Sequence, residues 1–121
     1  MVNKSRITKA KIESFEMLWS HLSNLYTDVG SLAKSKQDGL MSKARVSTIN
    51  LLLTEIRGLL KGEPSMKFLA LLDEETLPQN ADALIFLGQY KSAMQNFKRI
   101  NSDDDYGELK WKSTGRTTEE E

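Results

Sequence analysis

One histidine, His21, and two acidic runs, Asp73-Glu74-Glu75 and Asp103-Asp104-Asp105, are the residues whose types most readily do chemistry. A histidine acts as a general base near neutral pH when a partner orients its ring against a substrate. His21 falls at the edge of the apolar stripe of the first helical pattern, where an imidazole is ordinarily structural. The chain holds no cysteine and no second histidine, so His21 has no partners for a zinc site. The run Asp103 to Glu108 has the outline of a calcium loop. Its glycine, Gly107, comes one position early, and the last ligand position falls on Thr114, which cannot supply a bidentate carboxylate. Asp73-Glu74-Glu75 has no second carboxylate cluster at a spacing suited to two metals. The seven glycines are scattered singly, so there is no phosphate-cradling loop. These residues predict no catalytic centre, no metal and no cofactor.

The cations offer a different chemistry. Lys4, Arg6, Lys9 and Lys11 precede every acidic residue, and a helical hairpin brings Arg57 and Lys61 towards the same pole. Lys34, Lys36, Lys43 and Arg45 surround the turn at the other pole, where only Asp38 opposes them. Such clusters contact phosphates without reading base sequence. A nucleic-acid-binding accessory role through Lys4, Arg6, Lys9, Lys11, Lys43 and Arg45 is therefore the alternative reading. Against it stand a net charge of zero and the lack of aromatic residues interleaved with the basic ones.

Periodicity places these residues on helices. Phe15, Leu18, Leu22, Leu25, Val29 and Leu32 step by three and four, a seam that starts near Ser5 as the cap and ends at Gly30 or Lys36. Gln37-Asp38-Gly39 reads as a turn. In a second helix over residues 40–61, Val46, Ile49, Leu53, Ile56 and Leu60 form the core face. Ala44, Ser47, Leu51, Thr54 and Gly58 form another line on the opposite side, mostly small where a solvated helix shows charge. Small side chains let a second backbone approach, so this stripe is covered either by the chain's own third or fourth helix or by another molecule.

Gly62-Glu63-Pro64 closes the second helix. A short third helix is expected over residues 65–73. Thr76-Leu77-Pro78-Gln79 has the form of a capping box, opening a fourth helix at Thr76 or Asn80 that runs to Asn101. Its first turns are apolar almost all round, with Leu84, Ile85 and Gly88 opposite the main face. From Ser102 the pattern stops, and residues 102–121 read as a flexible acidic tail in which Trp111 either docks elsewhere or packs back on the helices.

The 121 residues suit one domain, with 39% hydrophobic and 28% charged residues in a balance typical of a folded chain. Only two prolines and no alternating β-branched runs argue for an all-α fold. The expected architecture is an up-and-down helical bundle of three long helices plus one short helix over residues 1–101, followed by the tail. The longest apolar run, Ala83 to Leu87, is too short to cross a membrane, and the first residues hold no apolar signal segment. A cysteine-free chain fits the reducing cytoplasm. Charge divides unevenly: residues 1–72 hold 11 basic and 6 acidic residues (+5), and residues 73–121 hold 6 and 11 (−5).

By elimination, the chemistry expected of this chain is contact. The sequence predicts a non-enzymatic helical protein–protein interaction module, a homo-oligomer or a small subunit of a larger assembly. It binds through Ala44, Ser47, Leu51, Thr54 and Gly58 and the apolar start of the fourth helix. No small-molecule substrate and no membrane partner are expected.

Overall fold

Threonine and serine hydroxyls set where the first two helices begin. In the computed structural model, which describes residues 7–105 and 108–112, Thr8 accepts a hydrogen bond from the Lys11 amide at 3.1 Å and starts α1 (Lys9–Ser35). The helix therefore begins at Thr8 rather than at Ser5, and it continues through Gly30. Ser42 accepts from the Arg45 amide at 3.1 Å and starts α2 (Lys43–Leu59). Each cap satisfies an amide that has no partner inside its own helix. At the far end of α2, Gly62 takes a φ of 89°, a left-handed conformation suited to glycine.

The protein is predominantly helical, and α3 (Asn80–Ile100) is the third long helix. α1 packs against both other helices, and α2 runs antiparallel to it. Phe15, Leu18, Leu22 and Val29 of α1 meet Val46, Ile49, Leu53 and Ile56 of α2 and Ala83, Leu87, Met94 and Phe97 of α3 in one core. The first amides of α3 are not capped by a side chain. Asn80 N donates to Gly39 O at 2.8 Å and Ala81 N to Gln37 O at 3.1 Å, so the α1–α2 turn itself closes that helix end. Asn80, buried, also donates from Nδ2 to Lys36 O at 2.8 Å.

The expected third helix over residues 65–73 is instead a short 3-10 helix (Pro64–Phe68) followed by an extended strap that reaches Pro78. The backbone groups that a longer helix would use are engaged by distant side chains. Arg57 donates to Leu69 O, Tyr90 donates to Ala70 O at 2.8 Å, and Asn50 pairs with both peptide groups of Leu72 at 2.9 Å. Leu69 and Leu72 are buried, so the strap fills the space between α2 and α3.

The flexible tail expected from Ser102 is also corrected. Residues 102–105 (β1) and 108–111 (β2) form an antiparallel hairpin, with Ser102 opposite Trp111 and Asp103 opposite Lys110. Ile7 N donates to Lys112 O at 2.8 Å and ties the start of the described chain to its end. The Trp111 ring meets Phe15 edge-on at 4.9 Å, and its Nε1 donates to Glu16 at 3.1 Å. Aromatic burial holds the hairpin on the helices. Residues 113–121 lie outside the described part.

Candidate contact surface

α2 has an unusual distribution of polarity. Its strap side buries Asn50 and half-buries Arg57, while its outward side shows Leu51 at 72% exposure. Ala44, Thr54 and Gly58 are also exposed, and a Cβ placed on Gly58 meets nothing within 4 Å. Ser47 is half-buried because the strap passes beside it, and its hydroxyl donates to Glu74 at 3.2 Å. Four of the five residues are therefore exposed, Ser47 lies at the edge of the strap, and α3 does not cover the line. α3 lies beyond the strap, on the other side of the fold.

Beside this stripe the α1–α2 seam opens into two adjoining depressions. One, of 440 Å³, lies among Met17, His21, Leu25, Thr48, Leu51 and Leu52. The other, of 460 Å³, lies among Thr8, Lys11, Ser14, Glu55, Gly58 and Leu59. Met17, Leu18 and Glu55 belong to both, so together they form a shallow trough along the hairpin. Met17 is 54% exposed. It lies off the helical seam that identified α1's core, which is why its part in this surface was not visible from periodicity.

The apolar start of α3 divides between two environments. Leu84 is half-buried, in reach of Gly30 on α1, whereas Ile85 is 60% exposed on the outer side.

Lys9, Lys11, Lys43 and Arg45 are all exposed, and none is in an ion pair among the described residues. They do not converge. Lys9 and Lys11 lie in the first turns of α1, whereas Lys43 and Arg45 open α2 at the other pole of a hairpin about 40 Å long. Arg57 turns away from the pole and into the strap. Lys4 and Arg6 fall outside the described residues.

His21 is an exposed residue lining the same depression as Leu51 and Glu55. Asp73 organises a turn: its carboxylate accepts from the amides of Glu75 and Thr76, and these bonds hold its pKa below the usual carboxylate value. Glu74 is engaged with Ser47 and Asn50. No group of three or more potential ligands among the described residues is placed to hold a metal ion, and no described helix is long and apolar enough to cross a membrane.

Comparison with known proteins leaves the surface as the source of functional inference. No family model, no curated protein and no solved structure matches the chain.

Proposed function

We propose that this protein is a non-enzymatic helical interaction module that binds a protein, either a second copy of itself or a larger assembly, through the outward face of α2. The observation that carries the reading is Leu51, a large apolar side chain at 72% exposure on a helix that buries Asn50 one residue earlier. Small neighbours at Ala44, Ser47, Thr54 and Gly58 keep the surface low enough for another backbone to reach it. The trough lined by Met17, Leu25 and Leu52 extends the same face. Covering Leu51 would contribute about 1–2 kcal/mol, so an interface needs the trough as well as the stripe. A cysteine-free chain fits a reducing compartment, and the reading takes the cytoplasm as its setting.

Light scattering at micromolar concentration, on the wild type and on Leu51→Asp, tests the self-association branch. The expected result is an oligomer that dissociates on substitution while far-ultraviolet circular dichroism is unchanged. A monomeric wild type assigns the face to a foreign partner. Unfolding of Leu51→Asp contradicts the reading, because an exposed side chain has no internal packing to lose.

Nucleic-acid binding remains the second reading, supported by four exposed, unpaired cations at Lys9, Lys11, Lys43 and Arg45. A steep loss of DNA or RNA binding with salt, and a further loss on charge reversal at Lys43 and Arg45, would favour it. Lack of binding at low salt would end it.

A further inference from the structure

A second open surface lies on the other side of the strap. Phe68 of the 3-10 helix is 66% exposed and Ile85 of α3 is 60% exposed, and the two stand on either side of a groove of 370 Å³. Leu69 and Ala93 add apolar lining, and Ser65, Gln89 and Ser92 add polar groups at its margins. At Ser92 this groove meets a polar depression bounded by Asn96, Lys98 and Arg99. The strip from Ile85 to Arg99 follows α3 for about 21 Å.

Its charge has one sign. No acidic residue lines either part, whereas Lys98 and Arg99 lie at the far end and the Lys67 ammonium sits at the rim, 5.4 Å from the Phe68 ring centroid. The three cations have no carboxylate partner among the described residues. Lys98 instead lies over Trp111, and Arg99 donates to Asn96 Oδ1. An apolar anchor at one end and positive charge without a carboxylate partner among the described residues at the other fit an amphipathic partner of the opposite sign.

The geometry points to this groove as the docking site for an acidic amphipathic segment of another protein. Its large apolar side chain enters between Phe68 and Ile85, and its carboxylates lie along Asn96, Lys98 and Arg99. The inference shares with the function proposed above only the idea of a contact module. It uses a separate face, so Leu51→Asp leaves it intact.

The probe is a short fluorescein-labelled helical peptide with two leucines one turn apart followed by glutamates. A counterpart carries lysines in place of the glutamates. Fluorescence polarisation with the full chain should show binding of the acidic peptide that weakens at high salt, with little binding of the basic one. Ile85→Glu should weaken it about tenfold or more, as expected of an apolar anchor, Arg99→Glu should weaken it about threefold or more at low salt, and both should leave the circular dichroism unchanged. Amide chemical-shift changes should centre on Gly88 and Ser92. Equal binding of both peptides, insensitivity to both substitutions, or lack of binding would overturn the proposal. So would a wild-type dimer broken by Ile85→Glu, which assigns the groove to a second copy, or displacement of the peptide by a single-stranded oligonucleotide.

Discussion

Asn50 is the side chain whose removal most directly tests how the strap is held. It is 6% exposed, and its amide makes a two-way exchange with the Leu72 peptide: Nδ2 donates to Leu72 O and Leu72 N donates to Oδ1, both at 2.9 Å. Neither Leu72 group has another partner among the described residues. Asn50→Ala leaves one donor and one acceptor unsatisfied, and each such buried group costs about 1–3 kcal/mol. Leu71 and Asp73 on either side are exposed, so water reaches part of the segment and lowers the total. We expect a loss of about 3 kcal/mol, or about 10 °C in Tm for a domain of this length. Urea unfolding should show the midpoint shift with an unchanged slope, and hydrogen exchange should quicken in residues 69–77 before it does in α1. A variant within about 0.5 kcal/mol of wild type would refute the reasoning, because it would mean that Leu69 and Leu72 hold the strap without this pair.

Three other positions give sharp outcomes. Tyr90→Phe removes the bond to Ala70 O and should lower stability by about 1 kcal/mol at neutral pH. Burial raises the Tyr90 pKa above its ordinary value of 10.0, partly offset by Arg57. As pH rises past 10.0 the unfolded tyrosine ionises before the folded one, so stability falls until the folded group also ionises. The alkaline loss should therefore be smaller in Tyr90→Phe, as measured by urea midpoints across that range. Gly39→Ala places a Cβ 3.2 Å from Asn80 Nδ2 and 3.3 Å from Lys36 O, groups already bonded to each other, and should lower stability by about 1–2 kcal/mol. Gly58→Ala meets open space in a helix and should raise stability by about 0.5–1 kcal/mol, both glycine variants being measured by urea unfolding.

The parts of the fold legible in the sequence are those fixed by local repetition. The core faces of α1, α2 and α3 followed from three-and-four spacing, because each helix needs one apolar side and the side chains report it directly. The strap was not legible. Met66, Leu69 and Leu72 have helical spacing, yet the backbone there is claimed by Asn50, Arg57 and Tyr90, which lie 12 to 22 residues away in sequence. The hairpin escaped for another reason: strands of four residues give too few alternations to register, and three consecutive aspartates mask them. The contact stripe was readable as a line of residues, but its exposure depended on where α3 came to rest. The outer groove needed Phe68 and Ile85, which no single periodicity connects.

The strap takes the side of α2 that another helix would take in a closed bundle. Had α3 packed directly against α2, as in a closed bundle, it would have met Asn50 and Arg57, two polar groups that an apolar helix face cannot satisfy. An extended segment can, because its free carbonyls and amides turn to those side chains. The Leu69 and Leu72 side chains meanwhile keep the interior apolar. The strap thus stands between α2 and α3, and no described element covers the Leu51 side of α2. Asn50 inside and Leu51 outside invert the usual placement of polar and apolar side chains on a helix: folding uses the first, and under the function proposed above contact with another molecule would use the second. Their consequences are separable: Asn50→Ala should loosen the strap, whereas Leu51→Asp should leave the fold intact and alter only the contact proposed for this face.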